Sequence, residues 1–269
     1  MLNGILIYDK EDIERNKAYI KWMIEEGKKF DLNIELVTLN NINYNYIKDK
    51  YRFAINRSRN YKASEKLEGL NIRVFNKSNF CILGNDKIKA YSFIENLKVH
   101  YPKVYGEKKE INYDKKIIVK PKAGHGGENI KFLNKGEKIN FEENVYQQYI
   151  EDYVGDIRFY IINNKIINSV IRIPKKNDFL SNFSQGGEVR IYNYTEKNKK
   201  VINKILREIE IDYGGIDFLL LKNGEILFNE FEDAVGSRML SFLGINNTMD
   251  IFLNHISKEV NNRGSKNEG

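Results

Sequence analysis

Asp217, Glu230 and Glu232 fall within one run, Gly215 to Glu232, in which apolar residues flank an Asn223-Gly224 pair. That pattern predicts a β-hairpin with a two-residue type I′ turn, because both central residues of such a turn need positive φ. Centring the hairpin there sets Lys222 against Glu225, Leu221 against Ile226 and Asp217 against Glu230. Glu232 lies two residues beyond Glu230 and so points the same way, since strand side chains alternate between faces. Directly opposed residues hold their β-carbons roughly 4.5 to 5.5 Å apart, where like charges are destabilising. The face therefore calls for a cation. Magnesium suits it, taking carboxylate oxygens and completing its shell with waters and substrate phosphates. The alternative is an acidic hairpin end frayed into solvent, its charges screened.

A second segment with chemical content is Lys116 to Lys131, where the strand Ile117-Ile118-Val119 delivers Lys120-Pro121 into a loop holding Gly124, Gly126 and Gly127. A glycine-dense loop lets backbone amides approach an anion closely. It lacks the Gly-Lys-Ser/Thr ending of a Walker loop and the third glycine of the dinucleotide fingerprint. An ordinary flexible turn fits the same residues. His125 reads as a loop filler.

The elements that must position these groups alternate in type. Gly4–Tyr8 reads as a strand, Asp12–Phe30 as a helix with Ile13, Ile20, Met23 and Ile24 at helical spacing, and Asn33–Leu39 as a strand. Strands at Tyr51–Asn56 and Asn71–Val74 flank a helix at Ala63–Leu70 and complete a small open α/β unit. A helix from Asp86 to about Asn96 and a charged connector, Lys108–Lys115, follow; the chain then turns mostly antiparallel. Strands are expected at Asn129–Leu133 and Asn144–Ile150, and a hairpin joins Arg158–Ile162 to Lys165–Ile171 around Asn163-Asn164. Thr195 can cap a helix with one apolar face, Val201, Ile202, Ile205, Leu206 and Ile209. A last helix runs from Asn247 to about Val260, and the polar tail Asn261–Gly269 is expected to lack order.

Composition excludes several classes. A chain of 269 residues can build a sizeable core in two or three parts, and its longest apolar runs are strand-length, which points to a cytoplasmic protein with no membrane partner. The single cysteine, Cys81, rules out an internal disulfide, and the three histidines show no metal-ligand spacing. The formal charge of +7 arises from 44 basic residues dispersed among 37 acidic ones, without the clustered patch that nucleic acid binding requires.

In combination, a strand-borne lysine, a glycine loop and a distant carboxylate hairpin are parts that can hold a magnesium nucleotide. From roughly Asn85 to Leu240 the chain resembles the ATP-grasp superfamily, similar to RimK-type glutamate ligases and glutathione synthases, and the preceding unit resembles that family's N-terminal domain. The resemblance implies an α/β (α+β) fold in three parts: an open N-terminal α/β domain over 1–84, a small lid with the glycine loop over 85–150, and a C-terminal antiparallel-sheet domain with the metal site over 151–260, ahead of the tail 261–269. Carried over by position, Lys87 and Lys120 are the phosphate-binding lysines, and Gly124, Gly126 and Gly127 the phosphate-covering loop. Gln147, Gln148, Tyr149 and Ile150 are the adenine-contacting hinge, and Asp156 meets the ribose. Ser181 also falls to the nucleotide, Arg172, Asn182 and Lys120 to catalysis, and Asp217, Glu230 and Glu232 to two magnesium ions, with manganese as a substitute. Arg158, Arg190 and Arg238 are candidates for the substrate. Singly, Lys87, Arg172 and Asp156 read equally well as a solvated helix lysine, an edge-strand charge and a turn residue.

The implied activity is ATP-dependent joining of a carboxylate to an amine through an acyl phosphate, acting on amino acids or peptides. Two other readings are an ATP-binding regulatory module without turnover and a kinase releasing a phosphorylated product. Three departures mark a divergent branch: Leu180 where the family commonly has arginine, Glu232 where it has asparagine, and Glu232 to Arg238 in place of its Asn-x-Ser-Pro-Gly ending. Arg158, Arg172 and Arg190 are candidates to compensate for Leu180, and Arg238 is free to pair with Asp233 instead of a substrate. The oligomeric state stays open, a homo-oligomer included.

Overall fold

The computed structural model describes residues 1–123, 129–174 and 187–267. Gly124, Gly126, Gly127, Leu180, Ser181 and Asn182 lie outside them.

Four parallel strands, β1 (Leu2–Tyr8), β2 (Leu32–Thr38), β3 (Phe53–Asn56) and β4 (Arg73–Phe75), form the first sheet in the order β2-β1-β3-β4. Helices α1 (Lys10–Gly27), α2 (Tyr44–Lys50) and α3 (Tyr61–Gly69) make the crossovers. The unbroken apolar run of β1 follows from burial on both faces. Leu6 and Tyr8 pack with Ile20 and Met23 of α1, whereas Ile5 and Ile7 pack with Ile47 of α2 and Leu67 of α3. Helix α2 was not legible because Ile47 is its single buried residue. It takes up the chain before β3, which starts at Phe53 and not at Tyr51.

Two short helices follow, α4 (Ser78–Asn85), which the sequence reading lacked, and α5 (Lys87–Asn96). Asp86 caps α5, its Oδ1 accepting from the N–H groups of Ile88 and Lys89 at 3.0 and 3.1 Å. A small antiparallel sheet contains β5 (Val104–Tyr105), β6 (Ile117–Pro121), β7 (Lys131–Phe132) and β8 (Asn144–Gln148), in the order β5-β8-β6-β7. Ile117, Val119 and Tyr146 bury one of its faces against Tyr105 and Ile111. Strand β7 is shorter than the expected Asn129–Leu133; Asn129 instead takes a φ of 57°.

The third sheet is antiparallel, with β9 (Tyr153–Ile162), β10 (Lys165–Ile173), β11 (Glu188–Ile191), β12 (Tyr213–Leu221) and β13 (Ile226–Glu232) in the order β11-β10-β9-β12-β13. Helix α6 (Glu196–Leu206) covers one face, placing Ile202 and Ile205 with Phe159, Ile161, Ile216 and Phe218. Thr195 caps it reciprocally: its Oγ1 accepts from Asn198 N at 3.2 Å, and Asn198 Oδ1 accepts from Thr195 N at 3.0 Å.

Of the two hairpins of this sheet, the first turns where expected and the second does not. Asn163 and Asn164 both have positive φ, 49° and 52°, and make the two-residue turn. At the other hairpin only Gly224 of the Asn-Gly pair has positive φ, at 82°. Leu221 O accepts from Gly224 N and Leu221 N donates to Glu225 O, both at 2.9 Å, which makes a three-residue loop of Lys222, Asn223 and Gly224. The expected Leu221–Ile226 pairing is therefore displaced, and Leu220 faces Ile226. A bulge at Asn229 then shifts the register back: Phe218 faces Phe228, yet Asp217 faces Glu230 as the sequence predicts.

Helices α7 (Arg238–Phe242) and α8 (Thr248–Asn267) end the chain, α8 running on through most of the stretch read as an unordered tail. Phe252, Leu253 and Ile256 of α8 share a core with Leu6 and Phe75 of the first sheet and Tyr160 and Tyr213 of the third. Among the described residues no helix is long and apolar enough to cross a membrane.

Candidate active site

The register of the third sheet assembles a polar face. Arg158 lies opposite Asp217, Asp156 opposite Arg172, Asp217 opposite Glu230, and Gly215 opposite Glu232. Directly paired residues and those two apart share a face, so Asp156, Arg158, Arg172, Asp217, Glu230 and Glu232 stand together. The other face carries Ile157, Phe159, Ile171, Ile216 and Phe218, buried under α6. The bulge at Asn229 keeps both Phe228 on the apolar face and Glu230 on the polar one.

Cations from the chain itself meet the carboxylates that the sequence brings together. Arg158 binds the fully buried Asp217 through two parallel bonds, Nε to Oδ1 and Nη2 to Oδ2, each 2.7 Å. Arg172 Nη2 adds a third to Oδ2 at 2.6 Å, and Arg158 Nη1 pairs with Glu232 at 2.5 Å. Burial opposes the charge on Asp217, but the two guanidinium groups outweigh it and hold its pKa below the ordinary carboxylate value. Burial pushes Glu232 and Asp156 the other way, upward. Asp156 also accepts from Tyr153 OH at 2.8 Å.

Two lysines approach from different elements. Lys87, the first residue of α5, stands 3.8 Å from Glu230, and its backbone N–H donates to Lys122 O at 3.3 Å. Lys120 on β6 is buried and donates to Asn229 Oδ1 at 2.7 Å. Burial lowers the Lys120 pKa to about 8, with the Glu230 charge opposing the fall. Asp156, Asp217, Glu230 and Glu232 thus face Lys87, Lys120, Arg158 and Arg172, four negative charges against four positive.

The small sheet contributes a second wall. Ile118 lies opposite Gln147 and Lys120 opposite Val145, so the Gln147 side chain shares the Lys120 face. Gln147 is 1% exposed, and its Oε1 has no hydrogen-bond partner among the described residues. Of the four residues expected at the hinge, Gln148 N donates to Lys103 O at 2.9 Å and Tyr149 N to Lys116 O at 3.0 Å. The Ile150 N–H has no backbone partner among the described residues.

A RimK-like ATP-grasp domain model matches residues 63–254. The chain belongs to the RimK-like ATP-grasp family. A Mycoplasma genitalium relative, "Uncharacterized protein MG011", is 30% identical over 246 residues, covering 88% of this chain and 86% of that protein. A glutathione synthetase from Prochlorococcus marinus is 28% identical over 177 residues, 58% of this chain and 56% of its own. The fold is similar to a D-alanine–D-alanine ligase from Bacillus anthracis solved with ATP, with a TM-score of 0.71, 16% identity, and coverage of 100% of this chain and 99% of that one.

ATP-grasp membership implies ATP and usually magnesium, and the donor chemistry fits a hard cation. Among the described residues Glu230 offers carboxylate oxygens engaged by the 3.8 Å ion pair with Lys87 alone, and Asp217 Oδ1 accepts one bond, leaving it a lone pair. Among the described residues no group of three or more His, Cys, Asp or Glu could hold a metal by itself. Two carboxylates completed by substrate phosphates is the shell magnesium ordinarily takes.

Not every ATP-grasp candidate joins this face. Arg190 pairs in register with Ile171, on the α6 side of the sheet, and stands 60% exposed at the edge strand beside Glu188. Arg238 is exposed at the start of α7 and does not pair with Asp233, whose Oδ2 accepts from Asn85 at 2.9 Å. Burial raises the Asp233 pKa to about 6. The residue that sequence reasoning missed is Asn229. The one available signal was Asn-Glu at the head of the acidic pair; nothing local marks a bulge there.

Proposed function

We propose that this ATP-grasp chain is a ligase that joins a carboxylate to an amine, with an amino acid or peptide as substrate, through an acyl phosphate. The observation that carries the reading is the convergence of two lysines from separate elements on the end of β13 beside the Asp217 clasp, Lys87 at Glu230 and Lys120 at the adjacent Asn229. A carboxylate attacking the γ-phosphoryl group brings two anions together, so a site for this step must neutralise both. Lys87 and Lys120 answer the phosphate oxygens. Asp217 and Glu230 would hold magnesium, which would supply further charge neutralisation on the phosphates.

Arg172 answers the acceptor carboxylate. Its buried Nε has no partner among the described residues, and an unsatisfied buried donor costs about 1–3 kcal/mol until an acceptor arrives. A substrate oxygen would relieve that cost and, as the amine attacks the acyl carbon, Arg172 can stabilise the oxyanion before phosphate leaves. Gln147 Oε1 and the Ile150 N–H are an acceptor and a donor suited to an adenine edge, and Asp156 to ribose hydroxyls. In the same reading Gly124, Gly126 and Gly127 cover the phosphates, Ser181 and Asn182 attend the reacting groups, and several nearby arginines favour an anionic acceptor.

Glu230→Gln keeps the side-chain volume while removing the charge facing Lys87 and the metal. The expected outcome is loss of substrate-dependent ADP formation with the circular dichroism spectrum and melting temperature retained, measured over a panel of amino acid and peptide pairs. Turnover equal to that of the unaltered chain would refute the assignment.

A further inference from the structure

Alternate residues of the stretch between β13 and α7 are buried without belonging to a strand: Asp233, Val235 and Ser237 are 4%, 0% and 5% exposed. Its carbonyl groups are met in succession by side-chain donors. Asn76 Nδ2 donates to Asp233 O at 2.7 Å, Arg57 Nη2 to Ala234 O at 2.8 Å and to Val235 O at 3.0 Å, and Tyr160 OH to Gly236 O at 3.4 Å. A connecting segment ordinarily leaves its carbonyls to water. Four consecutive ones held by side chains fix this backbone in place.

Arg57 makes two of these bonds and comes from the first sheet. It follows β3, its backbone N–H donates to Ile7 O at 2.9 Å, its Nε donates to Tyr8 OH at 2.7 Å, and its guanidinium lies 4.9 Å from the centre of the Tyr19 ring. It is therefore anchored at the C-terminal ends of β1 and β3, where the strand order β2-β1-β3-β4 reverses direction. In open α/β sheets that is where ligands bind. The nucleotide-side groups Lys87, Lys120 and Gln147 come from elements that Arg57 does not contact through any of these bonds.

We infer that Arg57 is a positioning residue for the substrate side of the site: it fixes the 233–236 backbone and thereby sets Glu232 at one end and Arg238 at the other. The clamp stands on geometry alone, whereas the substrate-side role rests on the ligase reading. Lysine cannot replace Arg57, because only a planar guanidinium reaches the Tyr8 hydroxyl and two carbonyls together.

Hydrogen–deuterium exchange on the full chain reads the clamp without knowledge of the substrate. In Arg57→Gln, peptides over 233–240 exchange at least about tenfold faster, peptides over 213–232 keep their rates, and ATP affinity stays within about twofold. With a substrate pair found by the amino acid and peptide panel, KM for the carboxylate or amine rises about tenfold or more and KM for ATP holds. Unchanged exchange over 233–240 overturns the clamp, and ATP affinity falling in step with substrate affinity overturns the substrate-side role. Absence of turnover in the unaltered chain sinks the ligase reading and that role with it, while the exchange result still decides the clamp. Should Arg57→Gln fail to fold, Tyr160→Phe removes a single donor, and a smaller rise in exchange confined to 233–240 is expected; no rise overturns the proposal.

Discussion

At the scale of single residues the site is governed by how buried charges are matched. Among the described residues Lys120 has an oxygen partner in Asn229 and no carboxylate in hydrogen-bond contact, so burial wins and its pKa falls to about 8. Above that pH the folded chain holds fewer protons than the unfolded one, up to the ordinary lysine value of 10.5, so stability without nucleotide rises with pH across that window. Under the proposed function ATP phosphates would reverse the balance by favouring the charged ammonium. Binding near about pH 9 should therefore take up a proton, and binding near about pH 6.5 almost none. Calorimetry in buffers of different ionisation enthalpy measures the uptake, and Lys120→Met should abolish it. Asp217 is the opposite case, since three guanidinium bonds keep it ionised despite complete burial.

At the scale of elements the β12–β13 hairpin shows how a correct pairing can arise from two offsetting departures. The sequence predicts Asp217 opposite Glu230 from a two-residue turn; the structure reaches the same pair through a three-residue loop and a compensating bulge at Asn229. The bulge has its own use, because the extra residue presents the oxygen that holds Lys120. Deleting Asn229 should leave Phe228 and Glu230 on their faces and keep the Asp217–Glu230 pair, yet leave Lys120 buried without its acceptor. ATP affinity is expected to fall about tenfold to a hundredfold, as for a lost hydrogen bond to a charged group. Titration with a fluorescent ATP analogue measures the fall; a melting temperature lowered in proportion would point to general damage instead. The helical and strand periods were legible in β1, α1, α5, α6 and β12, where one face or both are buried. Helices α2 and α4 were not, for α2 buries only Ile47 and α4 buries only Phe80 and Cys81.

At the scale of the whole molecule, the first sheet and the third share a core and a buried ionic junction. Asp212 just before β12 receives bonds of 2.9 and 2.5 Å from Arg73 of β4 and lies 2.7 Å from His255 Nε2 of α8. Removing one member of a buried pair costs about 3–5 kcal/mol, because the other charge stays desolvated. Asp212→Ala should lower the urea midpoint by a corresponding amount in a single transition. Two separate transitions would show that the first sheet and the third unfold independently.

The sequence by itself determined what strand period and turn residues determine: the acidic hairpin, the lysine-bearing strand and most of the elements in their order, with the family they resemble. Those signals are local, repeating every two to four residues, and burial on a single face is enough to write them. Tertiary structure alone decided which charge meets which. Arg158 and Arg172 reach Asp217, Asn229 reaches Lys120, and Arg57 reaches Ala234 and Val235, across separations along the chain that leave no periodic trace. The reason is that a desolvated charge or carbonyl must be satisfied by whatever donor or acceptor the packed sheets bring within about 3 Å, and only the closed fold fixes that distance.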